Sequence, residues 1–103
     1  MGIKMRKDYI LNDGGLDYSD AERFGALEIC TQGSIDRADV SKMYRLLDDA
    51  LLDSHPEDFL IVAGLNSLIA IAASIMAHRH GEVHFLVHKD GKYVQRDLML
   101  ENG

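Results

Sequence analysis

The chain has one cysteine, one proline and no tryptophan among its 103 residues, and aromatic residues make up only 7%. A single thiol, Cys30, cannot close an intramolecular disulfide, so stability has to come from burial, and a lone thiol suits a reducing cytoplasm. Cationic side chains are also scarce: 11 Lys and Arg stand against 17 Asp and Glu, a net charge of −6. Binding to nucleic acid or to an anionic membrane needs clustered Lys and Arg, so neither is expected of this chain as a whole. Lys4, Arg6 and Lys7 have no apolar stretch behind them, and the N-terminus does not read as a signal peptide. Repeats, linkers and low-complexity tracts are also missing. The rest is ordinary for a folded protein, 47% hydrophobic and 27% charged, and the length suits one domain, 1–103.

The longest uncharged run, Phe59 to Ala77, covers 19 positions, close to a membrane-spanning length. Gly64, Asn66 and Ser67 break it near the middle, so it reads as a buried strand, a turn and a helix. Around it the pattern gives an alternating order. Tyr9-Ile10-Leu11 is a short strand ended by Asn12-Asp13-Gly14-Gly15. Ser19-Asp20-Ala21-Glu22 matches a capping box for one or two helical turns to Phe24, with Gly25 in the left-handed position behind them. Ala26 to Thr31 alternates as a second strand. Val40, Met43, Tyr44, Leu47, Ala50 and Leu51 form one apolar stripe on a helix from about Arg37 to Asp53, with Asp36 as its cap. Phe59 to Ala63 is apolar on both faces, as in the interior of a parallel sheet. Asn66 or Ser67 caps a buried, alanine-rich helix to His80, and Gly81 stops it. Val83 to His88 and Tyr93 to Leu98 form a hairpin about Asp90-Gly91, the second strand polar enough to be an edge. The fold class is therefore α/β: one small domain with a four- or five-stranded mixed sheet, two main helices and a C-terminal β-hairpin. The third strand reaches the fourth by a right-handed parallel crossover. The direction of the first two strands stays open, as does the number of layers.

The best place for a ligand is Ala63-Gly64-Leu65-Asn66-Ser67. A strand ending in glycine and feeding a helix N-terminus offers free N–H groups and the positive end of a dipole. If the first two strands run the same way, Asn12, Asp13, Gly33 and Ser34 gather beside Gly64, Asn66 and Ser67 at the carboxyl edge of the sheet. No phosphate-loop or dinucleotide motif is present, and a tight turn with an ordinary cap is the plainer reading. Cys30 and Arg37 are spaced C-x6-R, one residue longer than a phosphatase loop, with Asp36 beside the arginine; an inert thiol is expected. His78 and His80 point to different helix faces. His84 and His88 are roughly 13 Å apart along a strand, too far to share an ion, and no metal site is expected. His84 with a carboxylate would make an acid–base pair, but nothing in the sequence singles out the partner. Between Asp36 and Asp58 seven acidic residues face three basic ones. Asp39, Asp48, Asp49 and Asp53 could form a face that docks on a basic protein surface, although a solvated helix face is the commoner outcome.

Taken together, Tyr9 to Gly14, Pro56 to Gly64, the alanine-rich helix, His80-Gly81-Glu82-Val83 and Lys89 to Tyr93 resemble a pattern in small bacteriophage proteins of no established activity. The resemblance spans most of the chain but rests on strands and turns, so it transfers no functional residues. It implies a viral protein at work in a bacterial cytoplasm, acting on a host component. The expectation is a non-enzymatic binding or accessory protein that contacts another protein or copies of itself, without cofactor or catalytic residues. The alternative is a nucleotide-, phosphate- or small-molecule-binding domain using the Gly64 turn.

Overall fold

The computed structural model describes residues 5–101. Five strands form one sheet in the order β2-β1-β3-β4-β5: β1 (Lys7–Ile10), β2 (Ala26–Ile29), β3 (Phe59–Ile61), β4 (Glu82–Lys89) and β5 (Lys92–Met99). The first four are parallel and β5 returns antiparallel to β4. The two full helices are α1 (Val40–Ala50) and α2 (Asn66–His80). The mixed five-stranded α/β class is as the sequence predicts, and β1 and β2 do run the same way.

The order of strands settles the layers. From β2 the chain moves past β1 to β3 and on to β4, so right-handed crossovers put α1 and α2 on one face. Only the step from β1 to β2 goes the other way, and its connection must cross the opposite face. That connection, residues 11–25, is a strap with a 3-10 turn at Ser19–Arg23. The core is accordingly double. Met43, Leu47, Leu51, Leu68, Ala72 and Met76 pack on Tyr9, Leu60 and Val83 under the helices. Tyr18 and Ala21 of the strap pack on Ile10, Phe59, Ile61, Leu86 and Tyr93 on the other side.

Several local expectations shift for physical reasons. The capping box does not form: Tyr18 precedes the 3-10 turn without a side-chain cap, and Asp17 instead accepts from the Ser19 N–H at 2.9 Å. Gly25 is not left-handed. It is needed for closeness, because a Cβ there would lie 2.5 Å from the Arg6 carbonyl oxygen and 2.9 Å from Asp8 Oδ1. Helix α1 begins three residues late because Asp39, not Asp36, accepts from the Lys42 N–H; Asp36 closes a turn onto Ala38. The N-cap of α2 is Leu65, and neither Asn66 nor Ser67 caps the helix with its side chain. The hairpin turn is as expected, with Asp90 at φ 52° and Gly91 at φ 82°. The uncharged run is split into β3 and α2, and among the described residues no helix is long and apolar enough to cross a membrane.

Candidate functional site

The chain adds β2 on one side of β1 and β3 on the other, so the loops leaving the carboxyl ends of these parallel strands part and open a crevice. A cleft of about 550 Å³ lies there, lined by Asn12, Gly33, Ser34, Ile35, Arg37, Gly64, Leu65 and Asn66. The segments that follow β1, β2 and β3 each contribute to it. Gly64, at φ 92°, lets β3 turn directly into α2. Because Leu65 has no side chain to accept from it, the first turn of α2 keeps N–H groups that the helix itself cannot satisfy. Asn12 is fixed within the wall: its amide nitrogen donates to the Gly33 carbonyl at 3.3 Å, and its oxygen accepts from the Thr31 hydroxyl at 3.1 Å. That hydroxyl also lies 2.6 Å from the Leu11 carbonyl, tying the loops after β1 and β2 together.

Five of the seven residues expected at this edge, Asn12, Gly33, Ser34, Gly64 and Asn66, share the cleft. Asp13 does not; it turns to the strap side, where its carboxylate accepts from the Gly15 N–H. Ser67 sits in the first turn of α2 outside the lining. Arg37 was missed as a cleft residue. The signal was in the chain, since Arg37 follows the β2 loop by a few positions, but the turn that sends Asp36 away from it was not legible. Cys30 is far from nucleophilic: burial, then the Glu28 charge, pushes its thiol up to about 12.

A second group lies on the strap side of the sheet. His84 is sandwiched between two carboxylates, Nδ1 2.6 Å from Asp97 and Nε2 2.7 Å from Glu82. Burial works against its charge, but the hydrogen bonds it donates to Asp97 and Glu82 outweigh that and raise its pKa. The partner was in principle readable: a two-residue turn at Asp90-Gly91 fixes the register that sets His84 opposite Asp97. Two strands away Asp8 is fully enclosed, and neither carboxylate oxygen has a hydrogen-bond partner. Burial, with the Asp58 charge adding to it, raises its pKa to about 7. Phe59 separates the two groups in the register.

The other histidines do not assemble a site. His80 Nε2 lies 2.9 Å from the Ser54 hydroxyl, which pins the end of α2 to the loop after α1. The nearby Asp58 carboxylate is taken up by the Lys7 and His55 backbone N–H groups. Among the described residues no three His, Cys, Asp or Glu converge as metal ligands would.

On the helix side, the acidic set is divided. Asp39 caps α1. Asp48 pairs with Arg79, whose guanidinium also donates to the Asp48 and Leu51 carbonyls and so closes the C-terminal end of α1. Asp49 and Asp53 are exposed. The predicted stripe of α1 is only partly buried: Met43, Leu47 and Leu51 are enclosed, while Val40 and Tyr44 stay 54% and 49% exposed. With Ala70, Ile71 and Ile75 they line a largely apolar trough of about 680 Å³ between the helices.

No curated protein and no solved structure matches the sequence. One family model does, that of the Phage Pam3 gp32-like protein, across residues 4–100. A match over nearly the whole length agrees with the resemblance carried by the strands and turns, and the chain belongs to the Phage Pam3 gp32-like protein family.

Proposed function

We propose that this phage protein acts by binding, and that the cleft between the ends of β1, β2 and β3 receives a small anionic ligand, a phosphate-bearing metabolite or nucleotide. The observation that carries the reading is the meeting of Asn12, Gly33 and Gly64, from the loops after three strands, with Arg37 and the uncapped N-terminus of α2 in one polar cleft. Glycines let a ligand approach the backbone, the helix terminus favours negative charge, and the guanidinium adds a directional, permanently charged donor. Against a chain of net charge −6, such a local cluster of donors is what an anion would need. The test is thermal unfolding with a panel of nucleotides and inorganic phosphate. A ligand that raises the midpoint in the native protein should lose that effect in Arg37→Ala and much of it in Asn12→Ala. A flat response across the panel removes the reading.

A second reading has its own observation. The trough beside Val40 and Tyr44 is apolar and open, which suits an apolar protein segment better than the basic surface expected from the acidic residues. Two of those four, Asp39 and Asp48, are engaged inside the fold. Under this reading Tyr44→Glu abolishes capture of a host protein and leaves the ligand response of the cleft unchanged.

A further inference from the structure

Strand β5 has a neighbouring strand on one side only. The Leu100 N–H donates to the Gly81 carbonyl, and the register pairs Val83 with Leu98 and Phe85 with Arg96. In an antiparallel ladder the inward and outward backbone groups alternate. The even residues of β5 therefore point to β4, and Tyr93, Gln95, Asp97 and Met99 point their N–H and C=O groups to the open edge. At Tyr93 the edge is closed, since its N–H donates to the Asp20 carboxylate at 2.7 Å and its carbonyl accepts from Arg23. The Gln95 carbonyl accepts from its neighbour's Arg96 guanidinium. Asp97 and Met99 have no such cover, and this is where the edge turns apolar: Leu98, Met99 and Leu100 are 47%, 61% and 42% exposed. Long, exposed, apolar edges pair with other strands unless they are plugged or charged.

We infer that the Gln95–Glu101 edge is a self-association surface on which a second copy of the chain pairs antiparallel across a two-fold axis at Leu98. The occupant and the register follow from the side chains. Pairing centred on Arg96 would set two guanidinium groups opposite each other and would need the Tyr93 edge that Asp20 and Arg23 already occupy. Pairing centred on Asp97 opposes two carboxylates. Like charges directly opposite are unfavourable. Centred on Leu98, the register sets Leu98 against its own copy, Arg96 against Leu100 and Asp97 against Met99. The outward groups of Asp97 and Met99 then exchange four backbone hydrogen bonds across the axis, and no like charges stand directly opposite each other. The exposed leucines come together on the helix side, and the five-stranded sheet becomes ten-stranded. The interface is small, so a reversible dimer is expected and not an obligate one.

The test is sedimentation velocity over a concentration series up to roughly millimolar, the range of weak interfaces. The native chain should show a monomer–dimer equilibrium. Met99→Pro removes an outward N–H that β4 does not use, and Leu98→Lys places two cations at the axis. Each should weaken the dimer by roughly tenfold or more, with an unchanged circular dichroism spectrum showing that the monomer is intact. In a Cys30→Ser background, Leu98→Cys should cross-link to itself on mild oxidation, because directly opposed residues at a non-hydrogen-bonded position lie close enough for a disulfide; Arg96→Cys should not. A monomer at every concentration overturns the inference. So does a dimer indifferent to Met99→Pro and Leu98→Lys, or one that is lost only in Tyr44→Glu, which would place the contact in the helix trough.

Discussion

The two faces of the sheet are held by different chemistry. Under α1 and α2 the packing is aliphatic, and among the described residues the one buried polar side-chain atom left there without a partner is the hydroxyl of Tyr9. Under the strap lie the enclosed carboxyl of Asp8 and the His84 imidazole clasped by Glu82 and Asp97, with Arg6 over the ring of Phe59 and Arg23 over that of Phe24. The difference follows from length. Two helices of 11 and 15 residues cover a face with apolar stripes, whereas a strap with a five-residue turn brings few apolar groups and must be fastened by polar ones. One face should therefore answer to volume and the other to pH.

The largest effect is expected where volume decides. Leu47 is completely buried, and Leu47→Ala should cost about 2–5 kcal/mol in urea unfolding, by the same amount at pH 5 and at pH 8. Next comes the seam of the strap. Gly25→Ala drives a methyl into the Arg6 backbone and the Asp8 carboxylate, and should cost about 1–3 kcal/mol. A cost near zero would mean that the strap is looser than its contacts imply.

Asp8→Asn should act in the opposite sense. The folded protein holds the Asp8 proton up to about pH 7, against 3.8 for the ordinary group. Between those values the native state binds more protons than the unfolded chain, so stability falls as pH rises through that window. The amide keeps the shape without the charge. It should gain roughly 1–3 kcal/mol at pH 8 and almost nothing near pH 4. The smallest effect belongs to His84→Gln. The His84 pKa is raised above 6.5, so its ion pairs contribute fully below that value and fade as pH climbs past the folded one. Their loss should cost about 0.5–1 kcal/mol at pH 5.5 and nothing at pH 9. If the pH dependence of stability survived both the Asp8 and the His84 substitutions, the contrast between the faces would fail.

What was legible in the sequence was local. The break at Gly64, the stop at Gly81, the turn at Asp90-Gly91 and the apolar stripe of Met43, Leu47 and Leu51 each express a conformational or periodic preference of neighbouring residues. The meeting of Asn12, Gly33, Ser34, Gly64 and Asn66 was also foreseeable, once parallel strands are supposed. What escaped depends on residues far apart. Nothing near Gly25 announces that Arg6 passes over it, and nothing near Tyr44 tells that the helix stripe is wider than the surface it covers. Arg37 enters the cleft only because Asp36 bends the chain first. Charge counting could not show, for the same reason, that Asp48 finds Arg79 at a separation of 31 residues.

The clamp on Tyr93 bears on the order of assembly. Asp20 and Arg23 grip a backbone that lies 73 and 70 residues downstream, so during synthesis the strap has no such fastening until the hairpin has left the ribosome. The helix-covered half can close as soon as β4 is available, whereas the strap-covered half waits for nearly the entire polypeptide. Until then Phe59, Ile61 and Leu86 stay open to water, and a chain stalled or cut before Tyr93 would carry that greasy surface as its most accessible one.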